Sequence, residues 1–485
     1  MVRAGDGVRA GPGGVLRRVS PGRAWAGGVR AGDDGLLLYS YSPKVYSSRD
    51  IECHCREDIA YRVLTANRVP DHSSVARFVV RHEGPLAKLF GGVLKLCERA
   101  GLVGSGVVAI DGTKMPANAS RDANVDYDRI AREIIAEAIA TDQAEDELHG
   151  DARGDELPEE LATEEGRRAW LACELAADRD AEYDGDGEHD ADGDGDGEPE
   201  HRFDAEEIVA RVQGRDGWLL EAKRQLDQER WQTAGPVPRS RTERLRDVAG
   251  RLEQDLAAVR RGNEAYEQWR ETAVDRLGRR LACRPPKPFE PPASPQGKVN
   301  LTDPDSRVMK GKAMFVQAHN AQAVVTEQQI VLAAEISTEP VDFSLLAPMM
   351  TATRRELEQA GIDATPKAAV ADAGYWNERH MDQLAADGIP VLIRPDSGNR
   401  KDERRGWTGG RYSSMRQLLA TDLGAELYRK RRHTIEPMFG HTKHNRKFTH
   451  FHRRGRAAVR TEWRLLMATH NLTKLHTHQI ATQGA

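Results

Sequence analysis

The chain has 485 residues, 39% of them hydrophobic, and a formal net charge of −5, which is length for two to three domains and material for a large core. No run of eighteen apolar residues occurs, and Leu36-Leu37-Leu38-Tyr39 is too short for a signal-peptide core, so a membrane span and an export signal are set aside and the cytoplasm is the expected compartment. Five scattered cysteines, Cys53, Cys55, Cys97, Cys173 and Cys283, suit reduced thiols, and Cys53-His54-Cys55 lacks the second ligand pair that a zinc site needs.

Residues 1–35, rich in Gly, Arg, Ala and Val, have neither helical nor strand period and read as poorly ordered. Residues 36–103 turn helical. One helix is expected from Ser47 through Leu64 and another after Pro70-Asp71, with Asp and Ser as N-caps. Two short helices separated by a turn fit a DNA-reading helix-turn-helix, a plain helical bundle being the alternative. Val107-Val108-Ala109-Ile110 then reads as a buried strand ending in Asp111-Gly112-Thr113-Lys114. An Asp at the carboxyl end of such a strand stands where α/β sheets hold their chemistry, unless it only caps a turn.

Residues 124–295 read as an insertion. It opens with an amphipathic helix over Arg129–Ala140, and residues 142–200 carry twenty-four acids against four bases. Asp192, Asp194, Asp196 and Gly197 imitate the start of a calcium loop, but Phe203 stands where the bidentate Glu belongs, so the Gly-Asp run of 184–200 is taken as an acidic linker. Further charged helices over 204–283 are broken at Ala234-Gly235-Pro236-Val237-Pro238, and Pro285–Pro295 forms a stiff exit. An α/β pattern over residues 296–478 follows. Strands over Met314–Val325 and Gln329–Ile336 form a hairpin, and Phe343–Gln359 is a helix. Ala368-Ala369-Val370-Ala371 is a strand ending in Asp372-Ala373-Gly374-Tyr375, followed by a helix through Leu384 and a strand at Val391-Leu392-Ile393. Residues 479–485 are a tail.

The net charge conceals a reversal. Between Arg429 and Arg464 stand twelve Lys or Arg and two acids, Glu436 and Glu462, so a group that uses Glu436 works on a polyanion, the alternative being an ion pair with the neighbouring arginines. Two strand-end aspartates and Glu436 are a plausible set of acidic metal ligands. Cutting a phosphodiester calls for charge stabilisation on both the attacking and the leaving oxygen, which two Mg²⁺ ions held by carboxylates provide. The five histidines from His433 to His452 show no tight ligand pattern and read as surface or phosphate contacts.

In this order the motifs resemble the DDE transposases of bacterial insertion sequences, whose catalytic core is ribonuclease H-like. The resemblance rests on Asp111-Gly112-Thr113-Lys114 with Ala117-Asn118-Ala119-Ser120, Asn320-Ala321-Gln322-Ala323-Val324-Val325, Asp372-Ala373-Gly374-Tyr375, Glu436-Pro437-Met438-Phe439-Gly440 with Lys443, Glu462-Trp463 and His470-Asn471-Leu472. It implies an α/β ribonuclease H-like mixed-sheet core, entered by an N-terminal helical domain and interrupted by the acidic, helical insertion. It further implies Asp111, Asp372 and Glu436 as catalytic ligands of Mg²⁺ or Mn²⁺, double-stranded DNA at element ends and target as partner, and a homo-oligomer on DNA. Lys114, Arg432, Lys443, Arg446, Lys447, Arg453 and Arg454 are the expected DNA contacts.

The family signature Tyr-x2-Arg-x3-Glu-x6-Lys is met by Arg432, Glu436 and Lys443, whereas Arg429 stands at the Tyr position and Tyr428 lies one residue early. Pro437 biases Glu436 away from helical geometry, so a helix is expected to start at Pro437 with Arg432 outside it. Asp111 and Asp372 lie 261 positions apart, Asp372 and Glu436 only 64, which puts the insertion after the first core strand. The expected activity is metal-dependent DNA cleavage and strand transfer. A DNA-binding protein descended from a transposase and a nuclease without strand transfer are the alternatives.

Overall fold

Caps and apolar spacing set the N-terminal helices. The computed structural model describes residues 31–149, 163–185, 222–223, 225–230, 237–238, 240–272, 288–311, 314–396 and 407–483. Its first elements are α1 (Ala31–Tyr41), α2 (Ser48–Glu57), α3 (Ile59–Leu64), α4 (His72–Arg81) and α5 (Glu83–Arg99). The helix expected to run from Ser47 to Leu64 is divided at Asp58: its extended backbone (φ −96°, ψ 130°) ends α2, and its carboxylate accepts from the amides of Ala60 and Tyr61 to start α3. Asp71 caps α4 through the amides of Ser73 and Ser74, and Glu52 of α2 accepts from the His72 amide at 2.9 Å, which ties α4 to α2. Along α5, Leu86, Phe90, Val93, Leu94 and Cys97 bury one stripe at helical spacing. The next element, β1 (Val107–Pro116), does not stop at Asp111 as expected but runs five residues beyond it.

The chain divides into two compact units: Met1–Asn118 with Val308–Ala485, and Ala119–Arg307. In the second, β2 (Asn124–Val125) pairs antiparallel with β3 (Val299–Asn300), so its two ends meet. Between them α6 (Tyr127–His149), α7 (Glu164–Gly185) and α8 (Arg241–Thr272) contribute Ile130, Ile134, Leu171, Leu245 and Leu252 to one core. Arg251 ties α8 to the exit segment, reaching Asp247 at 3.0 Å and Asp305 at 2.7 Å. The reading of residues 1–35 as poorly ordered is corrected at its end, where Ala31–Gly35 open α1 ahead of the apolar run Leu36-Leu37-Leu38; its first thirty residues, the Gly-Asp run from 186, the failed calcium loop and the breaks at 234–236 and 285–287 lie outside the described residues.

The first unit resumes with β4 (Arg307–Lys310), β5 (Phe315–Thr326), β6 (Val331–Ser337), α9 (Leu346–Gln359), β7 (Ala368–Ala371), α10 (Glu378–Ala386) and β8 (Val391–Ile393). These strands and β1 form one mixed sheet ordered β4-β5-β1-β7-β8, with β6 also on β5. β5 is antiparallel to both β1 and β6, while β7 is parallel to β1 and β8 to β7. Pairing with β5 explains the length of β1: the rungs Gly112↔Gln322 and Lys114↔Asn320 hold the polar half of the strand in the ladder. The expected β5–β6 hairpin forms, turning at Gln329 with φ 61°. Helix α9 starts three residues later than its expected first residue, Phe343.

The C-terminal elements are α11 (Gly410–Ala420), α12 (Asp422–Thr434), α13 (Glu436–Gly440), a π turn over His441–Asn445, and α14 (Arg456–Gln483). Helix α14 is buried almost continuously from Thr461 to Asn471. Its polar side chains bind it to the sheet: Trp463 Nε1 donates to Gln322 O at 2.9 Å, and Asn471 exchanges hydrogen bonds with the Val331 backbone at 2.8 and 2.9 Å. Arg464 and Glu356 form a buried pair at 2.6 Å. Glu462 accepts from the amides of His452 and Arg453. Trp463 and Asn471 of the two motifs therefore anchor a helix to a sheet, while Glu462 holds the loop that leads into it. Among the described residues no helix is long and apolar enough to cross a membrane.

Candidate active site

The last paired rung of β1 and β7 joins Ala109 and Val370. Two residues further on each strand stand Asp111 and Asp372, and the two-residue strand period brings both carboxylates to one side. Asp372 ends its strand as the cap of the Ala373–Tyr375 turn, accepting from the Gly374 amide at 2.8 Å. Asp111 accepts from the Gly112 amide at 2.8 Å. Between the carboxylates lies a guanidinium: Arg431 Nη2 is 2.7 Å from Asp111 Oδ2 and 3.9 Å from Asp372 Oδ2. Burial pushes the Asp111 carboxyl up to about 6; the Arg431 charge opposes the rise, while Asp372 and Asp342 add to it. Burial pulls the Arg431 guanidinium down, but the charges of Asp111, Asp372, Tyr428 and Glu436 together raise it.

A polar network lies beside this pair. Asp342, in the loop between β6 and α9, accepts at Oδ1 from Lys114 Nζ (3.1 Å), Asn320 Nδ2 (2.7 Å) and Gln322 Nε2 (2.9 Å). The Tyr375 hydroxyl donates to Gln322 Oε1. Gly112 makes room for this arrangement, because a Cβ there would stand 2.0 Å from Gln322 Nε2. The Asn320-Ala321-Gln322 motif thus sits at the site. Asp342 carries no sequence signal beyond that of a cap, since it stands immediately before the helix expected from Phe343.

The expected helix start at Pro437 is not what forms. Arg432 lies inside α12, Ile435 keeps right-handed helical geometry (φ −101°, ψ −34°), and α13 follows at once. The missing N–H of Pro437 removes one ladder bond, and fully buried Ile435 and Met438 hold the path. Arg432 and Glu436 are thereby one turn apart, 3.8 Å between Nε and Oε2, with side chains 79% and 53% exposed. The helix face that meets the aspartates is one residue earlier: Tyr428 and Arg431, spaced as the Tyr and Arg of the signature, face Asp372, as the electrostatics of both groups record. Counting back from Glu436 picked out Arg432. The helical face selects Arg431.

Lys443, carried inward by the π turn, donates from Nζ to Thr113 Oγ1 on β1. Arg432, Lys447 and Arg454 are exposed, the last donating to Asn118 O at 3.0 Å. Arg453 pairs with Glu83 at 3.1 Å. Arg446 departs from the expected phosphate contact. It is 3% exposed and its guanidinium donates to Leu466 O, Thr469 Oγ1, Thr469 O and Thr473 Oγ1, which leaves it no face toward a phosphate.

Among the described residues no group of three His, Cys, Asp or Glu side chains is close enough to hold a metal ion. The donor chemistry of the aspartate pair nonetheless fits a hard divalent cation, since two carboxylates converge on one cationic nitrogen, while Glu436 stands exposed beside Arg432.

The family model Transposase DDE domain matches residues 403–476, from the approach to α11 into α14, and covers Arg431, Glu436 and Lys443. The model Transposase domain (DUF772) matches residues 35–81, the α1–α4 helices. No curated protein and no solved structure matches the chain. With a transposase helical segment before the sheet, a DDE segment after it and paired strand-end aspartates between them, the two matches support a DDE transposase of insertion-sequence type.

Proposed function

We propose that the chain cuts and joins DNA at the ends of a bacterial insertion element, with Asp111, Asp372 and Glu436 as its catalytic acids. One observation carries this reading: the carboxylates of Asp111 on β1 and Asp372 at the end of β7, neighbouring parallel strands, stand 2.7 and 3.9 Å from one Arg431 nitrogen, so they share one position for positive charge. The strand order β6-β5-β1-β7-β8, three antiparallel strands followed by two parallel ones, supports a ribonuclease H-like core. Asp111, Asp372 and Glu436 would hold Mg²⁺ or Mn²⁺, and ions bound there stabilise charge on the attacking and leaving oxygens of the phosphodiester.

The protein's own groups bind and orient the strand. Lys114 on β1 and Lys443, which reaches β1 at Thr113, stand near Asp111 as the ammonium groups for phosphate contacts. Arg432, Lys447 and Arg454 offer exposed charge along the duplex, and Arg453 stands at its rim. The α2–α4 helices are assigned to DNA binding, and joining two element ends calls for more than one copy of the chain.

The test is cleavage and joining of a labelled duplex carrying the gene's flanking sequences, in Mg²⁺ and in EDTA, with wild type, Glu436→Gln and Asp372→Asn. Mg²⁺-dependent cutting and joining, both lost in the variants while DNA binding persists, is the expected result. Cutting without joined product makes the chain a nuclease, and binding without cutting in any divalent metal makes it a DNA-binding derivative.

A further inference from the structure

Arginines elsewhere in this chain show what a structural guanidinium looks like. Arg464 is held by both oxygens of Glu356 and by Ala87 O, and Arg446 by four acceptors. Arg431 is different. It makes one hydrogen bond, to Asp111, stands 3.9 Å from Asp372, and its Nε is buried with no hydrogen-bond partner among the described residues. A buried N–H left unpaired is costly, so this guanidinium is poised for a better anionic partner than it has. Its charge also lies where the two carboxylates would otherwise face each other across a gap. A guanidinium and a divalent cation cannot share that position, because each would have to bear the other's charge at contact distance.

We propose that Arg431 is a positioning residue that occupies the cation site between Asp111 and Asp372 in the DNA-free chain and vacates it when a DNA phosphate takes its guanidinium, so that metal and DNA binding assist each other. The inference rests on the reading of Asp111 and Asp372 as metal ligands given above. It deepens that reading by making metal affinity conditional on DNA. Without DNA a tethered charge already compensates part of the negative charge of the two aspartates. Once a phosphate has drawn Arg431 away, the two carboxylates are left with a shared negative field and a free position, which raises their affinity for Mg²⁺ or Mn²⁺. By linkage, the metal must strengthen DNA binding by the same factor.

The experiment measures Mn²⁺ affinity of the full-length chain by electron paramagnetic resonance of free Mn²⁺, with and without a short duplex of arbitrary sequence, after subtracting the Mn²⁺ that the duplex binds alone. Wild type, Arg431→Gln, Arg431→Lys and Asp372→Asn are compared. Without DNA, Arg431→Gln is expected to bind Mn²⁺ about tenfold more tightly than wild type, a coupling of the size usual between linked sites. Arg431→Lys, which keeps the charge, is expected to stay near wild type. Duplex DNA is expected to tighten Mn²⁺ binding to wild type by a similar factor and to change Arg431→Gln far less. The wild-type comparison needs no variant to fold. Equal Mn²⁺ affinity of wild type with and without DNA overturns the inference, and so does Arg431→Gln binding no tighter than wild type; if Asp372→Asn abolishes binding in the same series, the metal-site reading survives. Absence of Mn²⁺ binding to wild type under both conditions removes that reading and the inference with it.

Discussion

At the scale of single residues, the site depends on a missing side chain as much as on the charged ones. An added Cβ at Gly112 would drive Gln322 off Asn320 and Asp342, so Gly112→Ala is expected to cost about 1–3 kcal/mol in urea unfolding, as overpacking does. Gly92→Ala, in α5 with nothing within 4 Å of the new methyl, is expected to stabilise by about 0.5–1 kcal/mol. Two arginines from the same basic run should also part company. Arg446→Ala removes the hydrogen bonds that tie its turn to α14 and leaves a buried cavity, and is expected to lose about 2 kcal/mol or more of stability. Arg432→Ala, exposed, should change stability by less than about 0.5 kcal/mol but reduce the salt dependence of DNA binding by about one phosphate contact. The aspartates were legible because each follows an apolar β run. Arg431 was not, because a spacing counted along the chain cannot say which of two adjacent arginines a helix turns inward.

At the scale of elements, packing overrules local preference in both directions. The Pro437 bias yields to the burial of Ile435 and Met438, and β1 outlasts its apolar half because β5 offers it partners that sequence order hides. The hairpin of β5 and β6 was legible, since the strands are adjacent in sequence and each is apolar. The attachment of α14 to β6 has a pH signature. Burial pulls the His470 imidazole down to about 3, with the Gln329 carbonyl hydrogen-bonded to it at 3.0 Å and Arg446, Lys474 and His441 adding to the depression. A base whose folded pKa is depressed contributes stability that is full above its unfolded value near 6.5 and is lost as pH falls toward 3. The contribution of this one group is therefore expected to fall by about 2 kcal/mol between pH 6.5 and 5. In denaturant titrations at the two pH values, His470→Gln should show a visibly smaller drop than wild type; equal drops in both would assign the acid sensitivity elsewhere.

At the scale of the molecule, two charge populations are segregated by sequence, acids in 142–200 and bases in 429–464, so the net charge of −5 describes neither. The insertion was legible from that shift and from the spacing of the two aspartates. Its meeting ends were not, because a two-residue ribbon carries no signal in sequence. Asn300 Nδ2 donates to Ser120 O at 2.8 Å and Leu301 N to Ala123 O at 2.9 Å, so entry and exit are adjacent. Replacing residues 126–298 by a short Gly-Ser linker is accordingly expected to leave the sheet intact, since changes in loop length cost only about 0.6 kcal/mol per doubling. The check is a cooperative melt by circular dichroism within a few degrees of the full chain; a molten or aggregated product would make the insertion a requirement of the fold.

The same ribbon bears on how the chain reaches its native state. β1 is the central strand, yet its partners arrive late: Val108 pairs with Thr326, 218 positions on, and Val107 with Ala368, 261 positions on. Pairings so distant in sequence make for slow folding. During synthesis β1 emerges long before either neighbour, with both edges bare. The intervening segment has its own core and joins its ends through β2 and β3, so once it folds it shortens the loop that β5 must close. Closing its own ends at Val125 and Val299, the insertion reduces the separation in chain between β1 and β5 from about two hundred residues to the short segments that lie outside its ribbon.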